Sequence, residues 1–428
     1  MPHRFTIFAM TVVMTLFARL SLAADVIPPE NLGRLIATAL THNPEINSSH
    51  SRWQMFVSRS RQAGALEDPM FMFKLQNMVA REPFSTSKDP QTAKVIGLTQ
   101  QIPFWGKRAL REEAARHEAE SYRWVMEERK LELARMVKES YYQLYSVDNS
   151  LEIVEKNLRL LADFKSIAES KYSVGQGVQQ DIYKAALEQS KMLEQQIALK
   201  QQRRTLEANL NYLLNRPDST PVGRIADFSL PTLTLSPLQL QNSADENRPQ
   251  VKSLISLTKK GELSRRLAEK ENYPDFNLSL EYMFREESGG DPGYNMFTLG
   301  MTFNLPLQRE RRQAMAAEAS SETTMAQDEV NGLRNSIRYA VNDLLAQMER
   351  RRKSVELYRG GIIPQAEQSL ASAVISYKVN KVDFLTLLDN RGNLYNYERE
   401  LYDSLADYMI RLAQLEAVVG MELRESHK

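Results

Sequence analysis

The sequence predicts a mainly α-helical protein with a membrane β-barrel portion, and three observations predict it. The chain carries one plan twice, each copy holds two strands with an apolar and a polar face, and each hairpin feeds a helix too long for a globule. The expected protomer has two structural repeats, long antiparallel coiled-coil helices and four β-strands.

The duplication organises the rest. His42-Asn43-Pro44-Glu45-Ile46 returns as Glu246-Asn247-Arg248-Pro249-Gln250-Val251, which sets Pro44 and Pro249 205 positions apart. The same offset of 205 joins Pro69 to Pro274, Tyr172 to Tyr377, Val174 to Val379, Ala208 to Ala413 and Leu210 to Leu415. Between these it shortens to 203, where Val95-Ile96-Gly97-Leu98-Thr99 matches Thr298-Leu299-Gly300-Met301-Thr302 and Pro103 matches Pro306, so a loop in the first copy is two residues longer. Two copies make a duplicated domain rather than a solenoid, which needs at least about three units. The expected boundaries are a signal peptide at 1–23, a first repeat at 24–217, a linker rich in Pro, Ser and Thr at 218–235, and a second repeat at 236–428.

Each copy opens with helix, over 30–66 and 236–272, that stops before Asp68-Pro69 or Tyr273-Pro274, because a residue preceding proline is pushed out of the helical region. Hairpins are expected at about 69–103 and 275–306. In the second copy Phe276, Leu278, Leu280, Tyr282 and Phe284 alternate with Asn277, Ser279 and Glu281, and then Phe297, Leu299, Met301, Phe303 and Leu305 alternate with Thr298, Thr302 and Asn304. The first copy is noisier: Phe71, Phe73 and Leu75 oppose Lys74 and Gln76, while Gln100 interrupts the row of Ile96, Leu98 and Ile102. Strands of about 9–11 residues with one apolar and one polar face suit a barrel with lipid outside and water inside. The expected lipid-facing residues are Phe71, Phe73, Phe276, Leu278, Leu280, Phe297, Leu299 and Phe303. The competing reading is a half-buried hairpin of a soluble protein. Phe104 and Trp105 sit at a strand end, where they either join an aromatic belt or simply pack, and Lys107 and Arg108 read as basic anchors at a membrane interface.

From Phe104 to Arg216 there is no proline, and the glycines are Gly106, Gly175 and Gly177, so helix is expected without interruption from Lys107 to about Ser173. At about 1.5 Å per residue such a helix reaches on the order of 100 Å. Val137, Leu144, Leu151, Leu158 and Tyr172 form one seven-residue rung, with Lys165 as a fault, and Val147, Val154, Leu161 and Ala168 lie on a second. The shafts turn at Tyr172-Ser173-Val174-Gly175-Gln176-Gly177-Val178 and at Tyr377-Lys378-Val379-Asn380-Lys381-Val382, where glycine, or asparagine in its place, supplies the left-handed conformation that ends a helix.

The same residues exclude several function classes. With no cysteine there is no disulfide, thiolate metal site, catalytic thiol or lipidated N-terminal cysteine. Lys and Arg number 55 against 54 Asp and Glu, so no global field points to nucleic acid. The five histidines show no ligand spacing, and Met70 and Met72, which share a strand face, read as packing rather than as soft-metal ligands. P-loop and nucleophile-elbow patterns are missing, so neither an enzyme nor a cofactor or metal site is expected. At the N-terminus His3 and Arg4 precede an apolar run from Phe5 to about Phe17 and a Ser21-Leu22-Ala23 step, which reads as a signal for export. No other stretch is apolar enough to span a bilayer as a helix, so insertion must use strands.

Helix, hairpin and long helical pair, repeated once, resembles the TolC family of outer-membrane efflux proteins across the mature chain. The residues that carry it best are Ser376-Tyr377-Lys378-Val379-Asn380-Lys381-Val382-Asp383-Phe384-Leu385-Thr386-Leu387-Leu388-Asp389, then Asn393-Leu394-Tyr395-Asn396 and Glu400-Leu401. The resemblance implies a homotrimer in the outer membrane of a Gram-negative bacterium, with a twelve-stranded barrel on a periplasmic helical tunnel. It also implies a periplasmic adaptor and an inner-membrane pump of the resistance-nodulation-division type as partners. Asp389 falls where the family often has an acid facing the closed tunnel end, so Asp389 and Asp383 are gate candidates, although Thr386 stands where a second acid can occur. Asn380 replaces the usual tip glycine. Val174, Gly175, Gln176, Gly177, Asn380, Lys381 and Val382 are the expected adaptor contacts. Phe104-Trp105-Gly106-Lys107-Arg108 is similar to a Gly-Lys-Arg step of members serving heavy-metal pumps. The implied function is a passive duct for solutes delivered by the pump. The alternatives are a soluble periplasmic coiled-coil scaffold and a type I protein-secretion duct.

Overall fold

The computed structural model describes residues 30–423; the expected signal peptide lies outside the described residues. The first copy runs α1 (Leu32–His42), α2 (Pro44–Ala63), β1 (Met70–Gln76), β2 (Ala93–Ile102), α3 (Lys107–Ser173) and α4 (Gln179–Leu214). The second runs α5 (Pro237–Asn247), α6 (Pro249–Lys270), β3 (Phe276–Arg285), β4 (Met296–Phe303), α7 (Arg309–Leu357), a π-helical turn (Tyr358–Ile362), α8 (Ile363–Lys378) and α9 (Phe384–Val419). Helix starts follow local chemistry. Asn43 accepts the Glu45 N–H at 2.9 Å to cap α2, and Ser236 with Gln239 forms a reciprocal capping box on α5. Among the described residues no helix is long and apolar enough to cross a membrane.

Contacts divide the chain into two units. Among the described residues one comprises 30–41, Ala134–Thr232 and Ala346–Ala413; the other comprises His42–Leu133, Leu233–Leu345 and 414–423. The second unit holds the strands. They form one antiparallel sheet in the order β1-β2-β3-β4, and its register aligns apolar residues across all four strands: Phe71, Leu98, Leu280 and Leu299 in one row, Phe73, Ile96, Tyr282 and Phe297 in the next. Paired residues point to the same face, so the alternation within each strand becomes a continuous apolar surface. That surface is bare: Phe71 is 71% exposed, and Phe297 and Leu299 are each 76% exposed. On the opposite face Lys74 reaches Glu281 at 3.4 Å across Gly97, where a Cβ would come within 3.0 Å of Met72 Cε. The loop end of that face is closed rather than open, because Arg285 donates to Pro90 O at 2.6 Å and to Asp291 at 2.7 Å while Val95 is fully buried. Met70 and Met72 lie in the sheet with no metal-binding cluster of His, Asp or Glu among the described residues.

Lys107 and Arg108, expected as interfacial anchors, have other partners. Lys107 is 0% exposed and donates to Glu271 at 3.1 Å, to Asp275 at 2.9 Å and to the Tyr273 carbonyl at 3.0 Å. A buried ammonium with three acceptors locks the start of α3 to the segment between α6 and β3. Burial pushes the Asp275 carboxyl up, but the Phe104 N–H and the Lys107 ammonium outweigh it and hold the group below its ordinary value. Arg108 grips the Gly64 carbonyl through Nε at 3.0 Å and Nη2 at 2.7 Å. The residue types suited a membrane surface, but the fold brought acceptors within reach. Of the neighbouring aromatics, Phe104 stacks on Tyr273 with ring centres 4.6 Å apart, while Trp105 stays 74% exposed.

The first unit has a helical core. Val147, Val154, Leu161 and Ala168 of α3 face Ala185, Met192 and Leu199 of α4 and Leu370, Ala373, Phe384 and Leu387 of α8 and α9. The other expected rung of α3 borders this core and then leaves it: Val137 and Leu144 are buried, Leu151 and Leu158 are half-buried against the core, and Tyr172 is exposed. A straight α-helix drifts about 20° per heptad, so one row cannot stay in the core for its full length. The π turn has a local cause. Pro364 offers no N–H to Gly360 O, and Ile363 N–H bonds instead to Tyr358 O, one residue further back than in an α-helix. Residues 218–235 carry no helix or strand and are pinned by their own side chains and carbonyls, with Asp227 accepting from Tyr145 at 3.0 Å and Pro231 O from Tyr408 at 2.8 Å.

Candidate gate at the hairpin ends

The two hairpin ends are built alike. Gly175 has φ +72° and Asn380 φ +62°, both left-handed. Gln176 N–H bonds to Lys171 O at 2.9 Å, and its equivalent Lys381 N–H bonds to Ser376 O at 2.8 Å. These six-to-one bonds satisfy carbonyls that a helix end otherwise leaves open. Val174, Gly175 and Gln176 are exposed in the first end, as are Asn380 and Lys381 in the second, with Gly177 and Val382 partly covered. A Cβ added at Gly175 would meet nothing within 4 Å.

The following helices differ. Val178 precedes α4 without a side-chain cap, whereas its equivalent Asp383 accepts the Thr386 N–H at 2.8 Å. Hydrogen bonds from the Thr386 hydroxyl and N–H hold the Asp383 carboxyl below its ordinary value. Asp383 therefore caps α9 locally. Asp389 is exposed, in a groove of about 400 Å³ lined also by Glu188, Leu385, Arg391 and Asn393. Arg391 is 4% exposed and donates to Glu188 at 2.9 Å; burial, only partly offset by Glu188, lowers its hold on its proton.

A link that the sequence did not single out ties the hairpins together. Tyr377 is buried, donates its hydroxyl to Asp181 at 3.0 Å, and accepts at its carbonyl from Lys171, whose Nζ also lies 4.1 Å from the Tyr377 ring centre. Burial first, then the Asp181 carboxylate, raises the Tyr377 hydroxyl above its ordinary value. The duplication held a signal for it. Tyr172 and Tyr377 share a register, but the equivalents of Lys171 and Asp181 are Ser376 and Thr386, so one tyrosine finds charged partners and the other does not.

The expected lipid-facing positions are also placed. Phe71, Phe73, Leu278, Leu280, Phe297, Leu299 and Phe303 are exposed on the apolar face of the sheet, and Phe276 is partly covered beside Trp105, with ring centres 5.7 Å apart.

A bare apolar sheet, with no spanning helix among the described residues and long helical hairpins in the same chain, defines a β-barrel type of membrane protein with a helical extension. The profile described as outer membrane efflux protein matches residues 35–216 and 240–421, one match in each repeat, and the chain belongs to that family. It is an outer-membrane protein of the TolC-like fold, with a periplasmic helical portion. Cobalt-zinc-cadmium resistance protein CzcC of Cupriavidus metallidurans is 25% identical over 306 residues, 69% of either chain. Among solved structures, the outer membrane protein VceC of Vibrio cholerae superposes with a TM-score of 0.77 at 17% identity, covering 92% of this chain and 97% of that one. CusC superposes with a TM-score of 0.77 at 15% identity, covering 92% and 93%.

Proposed function

We propose that three copies of this chain form a passive duct through the outer membrane, closed at the hairpin ends and opened by a periplasmic adaptor with an inner-membrane pump of the resistance-nodulation-division type. The observation that carries this reading is the sheet: its apolar face is bare, and among the described residues both edges, β1 and β4, lack a strand partner. Within the sheet β1 and β4 run in opposite directions, so β4 of one copy can pair antiparallel with β1 of the next and close a barrel with no edge. Family membership sets aside the soluble scaffold. Membrane reconstitution tests the duct: native mass spectrometry should find trimers and planar bilayers discrete conductance, and a monomer without conductance overturns it.

Divalent metal ions are the cargo this reading favours, supported by the similarity to CzcC, which is described as a cobalt-zinc-cadmium resistance protein. In a trimer three copies of Asp389 ring the constriction and favour cations, while Asp383 serves chiefly as a cap. Asp389→Ala should reduce cation selectivity in single-channel recordings; unchanged selectivity rejects the ring. The adaptor docks on Val174, Gly175, Gln176, Gly177, Asn380, Lys381 and Val382. A Cβ at Gly175 meets no atom within 4 Å, and a side chain there carries only about 1–2 kcal/mol of backbone strain, so Gly175→Trp should abolish export while trimers persist. Retained export rejects the docking site. A deletion strain that loses protein secretion but keeps metal resistance would favour the secretion duct instead.

A further inference from the structure

We propose that the helix-side end of the sheet carries a site for an anionic glycerophospholipid headgroup of the periplasmic leaflet, formed by Lys270, Arg266, Arg309 and Arg311 around Trp105. The inference rests on the barrel reading above and names the lipid that its periplasmic rim selects.

Many helical cations are paired with carboxylates; Lys260, for example, contacts both Glu118 and Glu322. At the end of the sheet several cations without such a pair gather beside one indole. Among the described residues Arg266, Arg309 and Arg311 are exposed and make no ion pair or side-chain hydrogen bond, and Lys270 donates to the Trp105 carbonyl at 3.2 Å. The carboxylates beside them are already engaged. Glu269 pairs with Arg265, and Glu271 pairs with Lys107 and Arg111, which leaves Glu310 beside Arg309 and Arg311, and Glu262 one turn before Arg266, as exposed acids against four cations. A net positive patch remains.

The patch is held together by the fold. Arg266 and Lys270 lie four residues apart on one face of α6, and Arg312 Nε donates to the Glu271 carbonyl at 2.7 Å, which fixes the first turn of α7, with Arg309 and Arg311, against the end of α6. Its level is set by the apolar surface. The Trp105 ring lies 5.7 Å from Phe276, in the last row of the lipid-facing side, with Phe303 6.5 Å beyond. Leu305 and Leu307 continue the apolar strip between β4 and α7, both largely exposed. An indole at the end of an apolar band, with unpaired cations just past it, matches acyl chain, glycerol and phosphate in order of depth. A zwitterionic headgroup offers no net charge to this patch.

Spin-labelled phosphatidylglycerol and phosphatidylcholine can be compared as boundary lipids of the full chain in phosphatidylcholine vesicles. Phosphatidylglycerol should be preferred about threefold or more, as expected for several cations each favouring an anionic surface, and about 0.5 M salt should erase the preference. The K270Q/R309Q/R311Q variant should show no preference, and K270R/R309K/R311K should keep it. Equal association of the two lipids with the wild-type chain overturns the proposal, as does a preference unchanged in the glutamine variant. Conductance in the same vesicles separates the two readings: lipid preference without conductance removes the duct and leaves the site, and conductance without preference does the reverse.

Discussion

Tyr377 and Tyr172 occupy equivalent positions, yet only Tyr377 is buried and bonded, and the difference comes from single residues around them. Tyr377→Phe removes the donor to Asp181 and should cost about 1 kcal/mol of local stability. If this bond helps to hold the duct closed, the variant should also conduct more in planar bilayers without an adaptor; conductance equal to wild type would remove the bond from the gate. The pH dependence has a definite sign. Because the folded hydroxyl value is raised, its stabilisation is complete below the unfolded tyrosine value of about 10 and is lost as pH rises through the folded value. Tyr377→Phe should flatten the alkaline end of a thermal-melt series. The sequence marked the tyrosine as a repeat anchor, but its partners became visible only when two hairpins distant in sequence met.

At the scale of elements, helical glycines give opposite expectations. A Cβ at Gly361, in the π turn, would approach Leu357 Cδ1 at 3.9 Å, an ordinary contact, whereas one at Gly261 of α6 would lie 2.6 Å from Thr323 Oγ1 and 3.0 Å from Thr323 Cα of α7. Gly361→Ala should therefore be neutral or gain about 0.5–1 kcal/mol from a less flexible unfolded chain. Gly261→Ala should lose about 1–3 kcal/mol by forcing the two helices apart. Thermal melts in detergent check both, and equal melting temperatures for the two variants would refute the close approach. Strand alternation and the 67-residue length of α3 were legible because each depends on residues near in sequence. The shift of this row from the buried Leu144 through the half-buried Leu151 and Leu158 to the exposed Tyr172 was not, since a heptad template has no memory of the helix's true period.

For the whole molecule, the proposed trimer needs helical contacts as well as strand pairing. Tyr183, Leu187 and Ile197 of α4 are exposed in the single chain and are costly to leave in water. If the trimer covers them, Leu187→Glu combined with Ile197→Glu should shift native mass spectra from trimer to monomer while circular dichroism keeps its helical signal. Trimers of unchanged stability would place these residues on a solvent face instead. The bare face of the sheet supports the proposed trimer from a larger scale: lipid outside and neighbouring strands at both edges would cover its apolar rows.

The sequence by itself determined the duplication, the two-faced strands, the long shafts and the left-handed hairpin ends, because periodicity, proline and glycine act over a few residues. Tertiary structure decided what the charges do. Lys107 and Arg108 read as membrane anchors and proved to be a buried clamp and a carbonyl grip, Asp383 gained a local role as cap of its own helix, and Tyr377 gained Asp181 from the other hairpin. A charged side chain takes its role from whichever partners the fold brings within about 3 Å, and residues so distant in the chain carry no local sign of that meeting.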